Sequence, residues 1–246
     1  MSNTSGMQPS ARRRTVPAAF LMAMTLAGTA LAGALDDGVA AYDRGDYATA
    51  LQLLQPLANA RNVAAQYNLG HMYALGEGVQ QDYAEAAKWF RKAADQGEAS
   101  AQLNLGVMYS KGQGVPQDYG EAGRWFRRAA DQREAKAQFN LGLMYDKGQG
   151  VPQDYTEAGK WYREAAEQGD ARAEFNLGVM YTEGQGMPPD YVEAYKWLNL
   201  AAFRFPASEA GNRERAIKRR DSVASKMTPQ QIAEAQKLAR EWKPTR

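Results

Sequence analysis

The chain of 246 residues contains no cysteine and a single histidine. The first absence excludes disulfides, thiol nucleophiles, thiolate-bound zinc, iron–sulfur clusters and a lipid-modified N-terminal cysteine, because each requires the sulfur. The second leaves little for imidazole-based metal binding or acid–base work. An excess of one charge is also missing. With 30 Lys+Arg against 28 Asp+Glu, the net charge of +2 is too small to point to nucleic acid. What remains is a composition 44% hydrophobic and 24% charged, enough apolar material for a sizeable core.

Long apolar runs are absent except for one. Arg12, Arg13 and Arg14 precede about twenty uncharged, mostly apolar residues that end in small ones, the three-part layout of a secretory signal. Ala30-Leu31-Ala32 and Ala32-Gly33-Ala34 both fit small-x-small, so cleavage after Ala32 or Ala34 is expected and the product is periplasmic or secreted. A membrane association follows only if this segment is retained. Removing residues 1–34 leaves 27 basic and 28 acidic residues, unevenly placed: residues 209–246 hold 10 basic and 5 acidic.

The rest of the chain repeats. Leu69-Gly70, Leu105-Gly106, Leu141-Gly142 and Leu177-Gly178 stand 36 residues apart, and Tyr73, Asp82 and Trp89 recur at the same interval. A period in this range means a solenoid of stacked supersecondary units. Each unit reads as helix, loop, helix. Ala65, Leu69, Met72 and Tyr73 share a helical face, Gly76-Glu77-Gly78 breaks the helix, and Asp82-x-x-Glu85 reads as a capping box opening the next. Such paired acids cap helices and are poor catalysts. The recurring Gly-x-Gly follows no strand and is no phosphate cradle. Ala86, Trp89, Phe90 and Ala93-Ala94 are packing positions, each buried aromatic being worth about 2–3 kcal/mol.

The segment AQYNLGHMYALGEGVQQDYAEAAKWFRKAADQGEA resembles the Sel-one-like repeat, a relative of the tetratricopeptide repeat, and residues 64–204 carry four copies. Met187, Pro189, Gly123, Gly159 and Arg133 depart from its pattern. The resemblance implies an all-α fold, a right-handed α-solenoid superhelix of antiparallel helix pairs with about twelve helices. It also implies an adaptor for protein partners, with no catalytic residues and no cofactor.

The expected organisation is a signal peptide over 1–34, a tetratricopeptide-like helix pair over 35–63 and repeats over 64–99, 100–135, 136–171 and 172–207, then capping helices over 208–246. Within the last, a basic helix is expected from about Ser208 to Ser225. An amphipathic helix then starts at Thr228-Pro229, with Ile232, Ala235, Leu238 and Trp242 on one face.

If, as the resemblance implies, the first helix of each pair lines the concave face, that face presents Tyr67 and His71; Leu103, Val107 and Lys111; Phe139, Leu143 and Lys147; Phe175 and Val179. The apolar stripe Tyr67, Leu103, Phe139, Phe175 is either a groove for a peptide or helix, or core of a tightly wound superhelix. Asn68, Asn104, Asn140 and Asn176 either hold ligand backbone or bridge neighbouring units, the second being favoured. His71 breaks a Val/Leu/Val series without companions at metal-ligand spacing. The expected function is a non-enzymatic interaction scaffold in the bacterial cell envelope. Two alternatives stand beside it: a polysaccharide or peptidoglycan binder stacking sugars on Tyr67, Phe139 or Phe175, and a hydrolase. The hydrolase lacks a nucleophile and base.

Overall fold

Most helix starts along the chain are set by a side chain that accepts the free backbone N–H groups there, and most first-helix ends by a glycine. The computed structural model describes residues 33–245, and the expected signal segment up to Ala32 lies outside them. The described chain contains twelve α-helices. They are α1 (33–43), α2 (Tyr47–Asn59), α3 (Val63–Leu75), α4 (Tyr83–Ala94), α5 (Ala99–Lys111), α6 (Tyr119–Asp131), α7 (Ala135–Lys147), α8 (Tyr155–Glu167), α9 (Ala171–Glu183), α10 (Tyr191–Arg204), α11 (Ala210–Ala224) and α12 (Pro229–Glu241). No strand occurs among the described residues. From α2 to α11 each helix packs on its chain neighbours, and α12 returns to lie on α10, giving an all-α repeat solenoid.

The aspartates cap as expected. Asp82 accepts from the backbone N–H of Ala84 and Glu85, and Asp118, Asp154 and Asp190 repeat the role. The reciprocal half of the capping box does not form. The Asp82 N–H instead donates to the Tyr73 carbonyl at 2.9 Å, and the equivalent amides donate to Tyr109, Tyr145 and Tyr181. With that donor spent, Glu85 pairs with Lys88, and Glu121, Glu157 and Glu193 pair likewise with Arg124, Lys160 and Lys196.

Each first helix ends in a left-handed glycine, Gly76 at φ 75° being the first. Its companion Gly78, like Gly114, Gly150 and Gly186, sits where a Cβ would strike backbone at the start of the preceding unit's second helix. The second glycine is therefore a contact between units. Within a unit, Gly70 lies against the Phe90 ring, which a Cβ would enter, so the two helices approach closely. Trp89, Phe90, Ala93 and Ala94 are buried, as are Trp125, Phe126, Ala129 and Ala130.

The departures at Gly159 and Met187 belong together: the Met187 methyl occupies the space that a side chain at 159 would need. At Arg133 the chain keeps the positive φ (65°) of the glycine it replaces, and Arg61 does the same two units earlier. The N-terminal pair is a shortened copy of the later units. Asp46 and Tyr47 stand 36 residues before Asp82 and Tyr83, and Gly38 meets Leu54 as Gly70 meets Phe90. Pro206 stops α10, and a short 3-10 turn over Ala207–Glu209 delays α11 to Ala210. Thr228 caps α12 in a complete capping box with Gln231.

Candidate functional site

Side chains at i, i+4 and i+8 of a helix share a face, and the first helices carry the expected candidates on one. Tyr67 and His71 lie on α3; Leu103, Val107 and Lys111 on α5; Phe139, Leu143 and Lys147 on α7; Phe175 and Val179 on α9. The structure resolves the choice between groove and core into neither extreme. Tyr67, His71, Leu103, Val107, Phe139, Leu143, Phe175 and Val179 are all half-buried, while Lys111 and Lys147 are exposed. The stripe is thus partly covered by the stacking of units and partly open to solvent. Neither lysine has a carboxylate within ion-pair distance among the described residues.

His71 is held by packing. Its ring stands edge-on to Tyr67 (4.7 Å between centroids) and Phe90 (5.2 Å), and its Nε2 lies 3.3 Å from the Asn104 amide of the next unit. Burial lowers its pKa from 6.5, which keeps the imidazole neutral near pH 7. Among the described residues no cluster of His, Cys, Asp or Glu is placed to hold a metal. The recurring asparagines divide: Asn104 and Asn176 meet side chains of the preceding unit, Asn176 beside the Tyr162 hydroxyl, and the other two turn back. Asn68 and Asn140 donate back to their own helices, to the Ala64 and Lys136 carbonyls, whereas Asn104 reaches the His71 ring of the preceding unit.

At the C-terminal end the stripe opens into a hollow of about 220 Å³ between α7, α9 and α11, lined by Phe139, Phe175, Phe205, Arg172, Arg215 and two asparagines. The Arg172 guanidinium lies over the Phe139 ring at 4.4 Å and Arg215 over Phe175 at 5.5 Å. Neither arginine figured among the expected site residues. Arg172 was legible as the last and largest member of the series Ala64, Ser100, Lys136, whereas Arg215 arrives from outside the repeats and had no signal. Behind this face runs a row of buried polar residues, Gln66, Gln102, Gln138 and Glu174. Arg91, Arg127 and Arg163 each donate to a tyrosine of the following unit (Tyr109, Tyr145, Tyr181), tying unit to unit. No described helix is long and apolar enough to cross a membrane.

The family model for the Sel1 repeat matches residues 63–98, 99–133, 135–170 and 171–202. A solved Sel1 repeat protein from Oxalobacter formigenes is 31% identical, with a TM-score of 0.66 over 85% of this chain and 96% of that one. The protective antigen c5321 of uropathogenic Escherichia coli, which displays an SLR fold, is 24% identical over 86% of this chain and 68% of that one, with a TM-score of 0.46. No curated protein matches the chain. Four contiguous repeats, each built from the same capped helix pair, together with the likeness to the Oxalobacter protein, establish that the chain belongs to the Sel1 repeat family.

Proposed function

We propose that the chain is a non-enzymatic adaptor of the bacterial cell envelope that binds a peptide or protein segment along the face formed by α3, α5, α7 and α9. Sel1 repeats generally mediate protein interactions and are generally non-catalytic scaffolds. The observation that carries the reading is the continuous half-buried stripe from Tyr67 to Phe175, flanked by the exposed Lys111 and Lys147. A surface that combines apolar contact with charge suits an extended or helical ligand. The glycan alternative is less favoured, because Arg172 and Arg215 already cover the Phe139 and Phe175 rings on which a sugar would stack. Export rests on the N-terminal arginines and apolar run, with cleavage after Ala32 or Ala34.

Capture of envelope proteins by the exported chain, compared with a Phe139→Ala/Phe175→Ala variant, tests the proposal. One dominant protein, retained by the native chain and lost by a folded variant, is the expected result. Retention of wall fragments without protein overturns it. N-terminal sequencing of the chain recovered from the periplasm or medium, starting at Gly33 or Leu35, is the expected outcome for export.

A further inference from the structure

A second cleft lies away from the first-helix stripe, between the end of α10, one face of α11 and the end of α12, and has a volume of about 480 Å³. That is within the usual range for ligand sites, roughly 300–1,000 Å³. Four arginines line it, Arg204, Arg213, Arg220 and Arg240, and no acidic residue does. We propose that this cleft binds an acidic peptide segment of a partner protein, one carrying carboxylates along an extended backbone beside an apolar side chain. The proposal is independent of the stripe.

Three observations carry it. The first is the state of the arginines. Arg204 is fixed by Glu174 at 2.9 Å and by stacking on Trp242 at 4.5 Å, and Arg220 is fixed by the Asn199 side-chain oxygen at 3.1 Å and by Asp221. Arg213 and Arg240 are exposed and have no carboxylate within ion-pair distance among the described residues. Arg204 and Arg220 are thus held in place, with Arg220 still a quarter exposed on the cleft, and Arg213 and Arg240 are without such partners.

The second is spacing. Arg213 and Arg220 lie seven residues apart on α11, about 10 Å along its axis at 1.5 Å per residue. A single phosphate does not span that distance, whereas side chains three residues apart on an extended polyproline-II backbone, which share one face, do, at about 3.1 Å per residue.

The third is what the last repeat changes. Positions Asp95, Asp131 and Glu167 are acidic in the first three units, and the fourth places Phe203 there, 85% exposed on the cleft. The same unit replaces Gln96, Gln132 and Gln168 by Arg204. One negative charge is removed and a large apolar side chain is left in water at one cleft, while the added Arg204 answers the added Glu174 beneath it. Solvent alone gives no reason for that combination.

The test uses a fluorescein-labelled ten-residue peptide with glutamate at every third position and one phenylalanine, titrated with the full exported chain and read by fluorescence anisotropy. The expected result is salt-sensitive binding that the glutamine version of the peptide lacks. Arg213→Glu with Arg240→Glu should weaken it about tenfold or more. Lys218→Glu with Arg219→Glu makes the same charge change at exposed α11 residues outside the cleft lining, and should leave affinity within about threefold. Phe203→Ala should weaken the phenylalanine peptide and leave an alanine version unaffected. Circular dichroism confirms the fold of each variant. Equal losses in both charge-reversal variants overturn the proposal, because diffuse attraction to the basic C-terminal region then suffices. Displacement of the peptide by inorganic phosphate below millimolar concentration overturns it as well, in favour of a small-anion site.

Discussion

The row formed by Gln66, Gln102, Gln138 and Glu174 shows how far one residue can depart while its neighbours keep the pattern. Gln66 donates to the Ala58 carbonyl and accepts from Gln96 at 2.7 Å, and Gln102 with Gln132, then Gln138 with Gln168, repeat the arrangement. In the fourth unit both partners change, to Glu174 and Arg204 at 2.9 Å. Glu174 is fully buried, and that burial outweighs the attraction of Arg204 and raises its pKa to about 8. A protonated carboxyl has nearly the shape and polarity of the glutamine it replaces. Because the folded-state pKa lies above the ordinary 4.5, the stability linked to this proton is complete below about pH 4.5 and is lost as pH rises through about 8. Glu174→Gln with Arg204→Gln restores the glutamine pair of the other units and should flatten the decline in melting temperature between pH 5 and pH 9. An unchanged decline would mean that the acid is ionised in the folded protein. Both series were visible in the sequence at the 36-residue interval. Their burial was not, since glutamine is ordinarily a surface residue and periodicity does not distinguish inward from outward polar positions.

Two glycines of positive φ separate the roles that glycine plays between helices. Gly97 has φ 97° with no atom within 4 Å of the place a Cβ would take, so its requirement is conformational. Gly114, at φ 69°, adds a steric one: a Cβ would overlap the Tyr83 carbonyl and the Ala84 amide at the start of α4. Gly97→Ala should therefore cost about 1–2 kcal/mol, the ordinary penalty for left-handed backbone. Gly114→Ala should cost at least about 2 kcal/mol more, because backbone must move as in overpacked cores. Urea denaturation of both variants measures the difference, and equal costs would remove the second glycine from the interface between units. Helix ends were the most legible part of the fold, since Asp, Gly and Pro act locally. The destination of Glu85 was not legible, because it depended on the Asp82 amide being taken by Tyr73 across the loop. The α1–α2 pair was legible as tetratricopeptide-like, but its correspondence to the 36-residue unit was masked by a shorter loop: Gly38 to Asp46 spans eight residues where Gly70 to Asp82 spans twelve.

At the scale of the whole molecule, stability passes between neighbours. Each helix of the middle units packs chiefly on its own partner and the adjoining unit, so each unit's outer face depends on the next. The half-burial of the stripe follows from this stacking, and it was not legible because each residue's exposure is set by how the following unit leans on it. The repeat register placed the candidate residues on one face, yet nothing in it showed that Arg172 and Arg215 lie over the Phe139 and Phe175 rings. The same dependence makes the C-terminal cap decisive. On α12, Ala235 and Ala239 are buried and Ile232 packs on the cluster that holds Ala194 and Leu198, and at its C-cap Trp242 stands edge-on to Trp197 at 5.9 Å. Beyond it the Thr245 amide donates to the Glu167 carbonyl at 2.8 Å, fastening the tail across the end of α8. A chain ended after Ser225 loses all of these and exposes apolar surface on α10. Exposing two large side chains and several small ones costs about 5 kcal/mol or more. In a chain of nearest neighbours that loss falls first on the last unit. Hydrogen exchange read by mass spectrometry should therefore show α9, α10 and α11 losing protection in the truncated chain, while α3 to α6 keep theirs. Protection lost evenly from α3 to α10 would instead mean that the repeats unfold as one cooperative block, with the cap holding the N-terminal units as firmly as the last.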